Sequence, residues 1–163
     1  MDAAARIEGL DAGSRLQHAL DASYRYLGRR DRTAFEVRRQ LEGALVDPAT
    51  IDDALLELER LGYVDDVRYA RRFAEDRRQL DGWGTERIER RLLAVGVPPA
   101  IVEGELATRA AQDELAAAID VLRRRMTAPP ADDHERDRAL GLLARRGYSL
   151  ELAYDAVRSF ERD

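Results

Sequence analysis

An internal period of about fifty residues constrains this chain more than any other feature. Leu41, Leu92 and Leu143 lie 51 apart, as do Val46, Val97 and Tyr148, and Gly96 recurs as Gly147. Ile51, Ile101 and Leu152 join the series once the first unit is allowed one extra residue. The segments RRQLEGALVDPATIDDAL, ERRLLAVGVPPAIVEGEL and LGLLARRGYSLELAYDAV then share one order: apolar stripe, break, helix cap, apolar stripe. Repeats of this length are supersecondary units that bury their apolar faces by stacking, and their long faces commonly bind other macromolecules.

Within each unit the apolar spacing is helical, and the punctuation consists of helix caps. The first unit predicts a helix over 15–27 with Leu16, Leu20, Tyr24 and Leu27 on one face. Thr33 and Glu36 form a capping box ahead of Val37 and Leu41. Asp47-Pro48 supplies an N-cap and a first-turn proline for a stripe of Ile51, Ala54, Leu55, Leu58 and Leu61, and Gly62 ends it in a left-handed conformation. The second unit predicts helices through Tyr69, Phe73 and Leu80, through Ile88, Leu92 and Val95, and through Ile101, Val102 and Leu106. The third predicts helices through Leu115, Ile119 and Leu122, through Leu140 and Leu143, and, capped by Ser149, through Leu152, Val157 and Phe160. A polar break at 127–133 separates the first two of these. No strand-like alternation competes. The expected fold is all-α: nine helices in three tandem three-helix repeats at 15–64, 65–114 and 115–163, stacked into an elongated curved body, with 1–14 a disordered tail.

The 163 residues include no cysteine, which excludes disulfides and thiolate metal sites. No apolar run is long enough to span a bilayer, and the start lacks an apolar signal core, so a soluble cytoplasmic protein is expected. The net charge is −5, but it is banded along the chain. Residues 67–92 carry eight Arg against five acids, and 123–146 seven against four, whereas 1–66 carry nine against fourteen. All 27 basic residues are Arg, a bias that reads as genome composition more than selection for guanidinium chemistry.

The stretch GYVDDVRYARRF, 62–73, contains the Tyr-x-Asp-Asp core of polymerase metal sites. Such carboxylates sit on a β-hairpin beside a substrate cleft, and a third acid comes from elsewhere. Here the flanks are helical, so Asp65 and Asp66 read as caps of the following helix, and Tyr63 as a residue packing back on the helix before it. With Thr33, Asp47 and Ser149 they complete the set of expected structural caps. His18 and His134 have no partners at relay spacing, and Gly82-x-Gly84 lacks the rest of a phosphate loop. Trp83 reads either as a loop aromatic in an inter-helix groove or as a stacking platform. No enzyme, cofactor or metal is expected.

On a helical wheel Arg68, Arg71, Arg72 and Arg78 fall opposite Tyr69, Phe73 and Leu80, and Arg87, Arg90 and Arg91 opposite Ile88 and Leu92. Two readings stay open for this face. It is either a solvated surface with internal Glu–Arg pairs or a contact surface for an acidic protein patch or a phosphate backbone.

Gly62-Tyr63-Val64-Asp65-Asp66-Val67-Arg68-Tyr69-Ala70 resembles the Gly-Tyr-Leu-Asp-Asp-x-Arg-Phe-Ala signature of the RecX family, bacterial regulators of the RecA recombinase. Thr33-x-x-Glu36-Val37-Arg38-x-Gln40-Leu41 is similar to its Ser-x-x-Glu-Leu-x-x-Lys-Leu, with Gln40 in place of Lys. Gly82-Trp83-Gly84 with Ile88 and Leu92, and Leu143 to Ser149, resemble two further family segments, so that about 145 of the 163 residues are covered. Leu45 departs from the pattern where a glycine commonly ends the second helix. The resemblance implies a monomeric, non-enzymatic protein that binds RecA and the RecA–single-stranded-DNA filament. It implies inhibition of ATP hydrolysis, strand exchange and coprotease activity, and so a role in recombination and the SOS response. Part of the contact is expected from Arg68, Arg71, Arg72, Arg87, Arg90 and Arg91. Weak direct DNA binding is compatible with the banded charge, and a helix-turn-helix DNA-binding regulator is the alternative.

Overall fold

The computed structural model describes residues 9–162, and the first eight positions of the expected tail lie outside them. Among the described residues there are nine helices and no strand. They are α1 Ala12–Leu27, α2 Ala34–Gly43, α3 Pro48–Arg60, α4 Asp66–Asp81, α5 Thr85–Ala94, α6 Pro99–Leu106, α7 Ala111–Arg125, α8 Asp133–Arg146 and α9 Leu150–Phe160. The first helix starts three residues before the expected Arg15. Asp11 accepts a hydrogen bond from the Ser14 amide and caps it, a signal hidden by the lack of apolar residues in that first turn.

The described residues divide into two compact units, 9–69 with 95–98 and 70–94 with 99–162. In the first, α1, α2 and α3 pack mutually around Leu20, Val37, Leu41, Ile51, Leu58 and Val64. In the second, α7, α8 and α9 pack mutually around Leu122, Leu143, Tyr148, Val157 and Phe160, and α5 packs on α6. Fully burying one such Leu stabilises the fold by roughly 1.5–3 kcal/mol.

The 51-residue spacing has a local physical cause. At the end of α2 the Val46 amide bonds the Leu41 carbonyl at 3.1 Å, and at the end of α8 the Tyr148 amide bonds that of Leu143 at 3.2 Å. Both are left-handed helix stops, in which the residue after the positive-φ position returns to the last turn and packs on it. Leu41, Leu143, Val46 and Tyr148 are all buried, so the apolar pair of each stop is what recurs in sequence. Gly96 and Gly147 take the positive φ, at 82° and 90°, whereas Leu45 adopts 60° despite its side chain. The same stop ends α3, with Gly62 at φ 78° and the Tyr63 amide bonded to Leu58 at 2.9 Å.

Two expected stripe residues are misplaced by the periodic reading. Leu80 is 75% exposed and Leu61 45% exposed. In α4 the fully covered side chains are Ala70 and Ala74, with Tyr69 and Phe73 only half-buried. Small residues one turn apart let a neighbour approach the helix closely. Apolar size alone therefore mis-set the buried face.

Candidate functional site

The joint GYVDD is built from backbone hydrogen bonds and two carboxylates with different tasks. Asp65 accepts from the Arg68 amide at 2.9 Å and caps α4. Asp66 accepts instead from the Ala34 amide at 3.0 Å, so it caps α2 from 32 residues away. This corrects the expectation that both serve their own helix, and the sequence holds no local signal of the second role. Burial is the main cause that pushes the Asp66 carboxyl above its ordinary range. The charges of Asp65 and Glu36 add to that push, and the Ala34 amide opposes it. Tyr63 returns its amide to Leu58 at the end of α3, and its ring meets Tyr24 of α1 edge-on at 5.0 Å between centroids. Among the described residues no group of His, Cys, Asp and Glu is placed to hold a metal ion.

The remaining caps are direct. The Thr33 hydroxyl accepts from the Glu36 amide at 3.1 Å, and the Glu36 carboxylate accepts from the Thr33 amide at 3.0 Å, a reciprocal box. Asp47 accepts from the amide and the hydroxyl of Thr50, and Ser149 accepts from the Leu152 amide. The Thr50 contacts hold the Asp47 carboxyl below its ordinary range.

The six arginines singled out from sequence sit in unlike surroundings. Arg68 is tied back to the joint, donating to the Gly62 carbonyl at 2.7 Å with Asp65 4.0 Å away. Arg71 is held by Glu105 through two hydrogen bonds of 3.0 and 3.2 Å. Arg87 lies over the Trp83 ring at 4.0 Å and donates to the Arg145 carbonyl at 3.0 Å. Trp83 in turn meets Phe73 edge-on at 6.1 Å, so it serves as a packed loop aromatic. Arg72 is exposed and engaged within the chain. Arg90 and Arg91 are exposed on α5 and have no ion pair with any described residue. Arg78, placed by the wheel on the open face, is half-buried with Nε and Nη2 shielded and unbonded. Burial, and then the charge of Arg109, lower its proton affinity. The wheel separated polar from apolar positions but could not see that loops and neighbouring helices reach over the polar side. His18 and His134 are exposed, and no described helix is long and apolar enough to cross a membrane.

Helix triplets whose second helix ends at the same left-handed position define an all-α protein of tandem three-helix modules. Comparison with known proteins carries this to a family. The model of the first three-helix domain of RecX matches residues 19–67 and that of the second matches 65–106. Curated relatives include the regulatory protein RecX of Halorhodospira halophila, 32% identical over 94% of each chain. That of Trichlorobacter lovleyi is 33% identical over 80% of this chain and 88% of its own. That of Deinococcus radiodurans is 33% identical, with this chain spanning 65% of its length. The crystal structure of RecX from Lactobacillus salivarius has the same fold at 16% identity, with a TM-score of 0.81 over 93% of this chain and 99% of that one. The chain belongs to the RecX family.

Proposed function

We propose that the chain is a non-catalytic regulator that binds RecA and the RecA–single-stranded-DNA filament and restrains ATP hydrolysis, strand exchange and coprotease activity. Membership of a family whose relatives carry the name regulatory protein is the observation that supports this most. Among the six arginines, Arg90 and Arg91 are the best suited to an outside partner. Their guanidinium groups are exposed and unspent on internal carboxylates, so a partner carboxylate or phosphate meets no competing ion pair. Arg68, Arg71, Arg72 and Arg87 are further candidate contacts, each already engaged within the chain.

The test is a titration of RecA ATPase on single-stranded DNA with the wild-type chain and with Arg90→Glu/Arg91→Glu. The wild type inhibits. The variant, with an unchanged helical circular dichroism signal, needs about tenfold more protein, the loss of a charge-assisted contact. Equal inhibition by both would show that these two residues are merely solvated. Absence of inhibition by the wild type, with tight DNA binding in the absence of RecA at about 0.15 M salt, would overturn the RecA reading itself.

A further inference from the structure

The third three-helix module lies beyond residue 106, where the family domain matches end, and it carries a cleft of about 780 Å³. The cleft is bounded by the end of α7, the connection that follows it, and one face of α8. Its apolar lining includes Met126, Pro129 and Leu142, and Arg125, Arg138 and Arg145 stand around it. These three arginines are exposed and form no ion pair with any described residue.

Two details say what such a cleft takes. Arg138 and Arg145 are seven residues apart, so they lie on one face of α8 roughly 10 Å apart along its axis. Gly141 sits between them, and a Cβ there would meet only the flexible tip of Arg145, at 3.1 Å. The missing side chain leaves room for the Arg145 guanidinium to lie back over the helix at Gly141, on the same face as Arg138. An apolar lining with guanidinium groups around it suits a polypeptide segment that carries apolar and acidic side chains side by side better than a nucleic-acid strand, whose charged backbone brings no apolar side chains. No Phe, Tyr or Trp lines the cleft for base stacking. Two carboxylates also lie on it. Glu135 is spent on the Ala131 amide at 2.8 Å, and Asp137 disfavours a uniformly anionic ligand over one with spaced charges.

We propose that this cleft binds an acidic amphipathic peptide segment of a protein partner, its apolar side chains on Met126, Pro129 and Leu142 and its carboxylates on Arg125, Arg138 and Arg145. No step of this uses the RecA reading or its arginines. The probe is a fluorescein-labelled helical peptide of Leu and Glu with its leucines on one face, measured by fluorescence anisotropy against the full chain. An isomer of scrambled order and an oligothymidylate of equal length serve as comparisons. The ordered peptide is expected to bind about tenfold or more tighter than the scrambled one. Arg138→Ala/Arg145→Ala and, separately, Gly141→Leu each weaken it by about tenfold. Gly141→Leu displaces the Arg145 guanidinium from its place on α8, and an unchanged helical circular dichroism signal separates its effect from unfolding. Equal binding of both peptides, binding untouched by either variant, or displacement of the peptide by the oligothymidylate would overturn the proposal.

Discussion

The Thr33 hydroxyl donates to the Val95 carbonyl at 2.6 Å, tying the start of α2 to a residue of the same compact unit far along the chain. Fifty-one residues later the relationship recurs: the Gly84 amide donates to the Arg146 carbonyl at 2.8 Å, joining the start of α5 to the end of α8. A carboxylate at the start of a following helix completes each joint, Asp66 on the Ala34 amide and Glu114 on the Thr85 amide. The repeat is therefore a repeat of joints as well as of helices. Thr33 is fully buried and serves twice, as a donor to Val95 and as acceptor for Glu36. Thr33→Ala removes a cap and leaves the part-buried Val95 carbonyl without its donor, and should cost about 2 kcal/mol in urea unfolding. Thr33→Ser should keep most of that.

The second joint depends on the absence of a side chain. A Cβ on Gly84 would lie 2.4 Å from the Gly147 carbonyl oxygen, a backbone atom that cannot turn aside. Gly84→Ala should cost on the order of 3 kcal/mol. Gly104, inside α6 with nothing within 4 Å of its would-be Cβ, should gain roughly 0.5–1 kcal/mol as alanine. Thermal unfolding of the two variants should move in opposite directions.

Asp66 and Asp47 should respond oppositely to acid. Burial raises the Asp66 carboxyl in the folded state, so folding favours its protonated form. Its contribution to stability rises as pH falls from the folded value toward the unfolded one, about 3.9, and levels off below. The Asp47 carboxyl is lowered by Thr50, so its contribution is full above the unfolded value and is lost as pH falls through the folded one. Measured between neutral pH and acid, wild type should gain on Asp66→Asn and lose ground to Asp47→Asn. Parallel pH curves for either pair would contradict the assignment.

Trp83 is the sole tryptophan, so its emission reports one place. Arg87 covers one face of its ring. Arg87→Ala should shift the emission to the red and cost about 0.5–1 kcal/mol, the strength of a cation–π contact at a partly exposed site. An unchanged spectrum would mean that the guanidinium does not shield the ring in solution.

Much of the candidate site was hidden from the sequence for one reason. A helical wheel knows the period of a helix and nothing of what lies across from it. It therefore grouped Arg71, Arg78, Arg87 and Arg90 alike, although Glu105 holds the first, burial shields the second, and Trp83 lies under the third. Only Arg90 among these four is left to solvent without an ion pair.

By itself the sequence determined the helices, their stops and the family. Each rests on chemistry within a few residues: a hydroxyl or carboxylate three positions ahead of an amide, a left-handed glycine, an apolar pair closing the last turn. It also showed that GYVDD is a link between helices and no polymerase hairpin. Only the tertiary structure decided that Asp66 caps α2 and not its own helix, that Ala70 and Ala74 form the buried face of α4, and which arginines stay uncommitted. Those outcomes depend on atoms that meet across 30 residues or more, and a pattern of period 3.6 carries no record of such meetings.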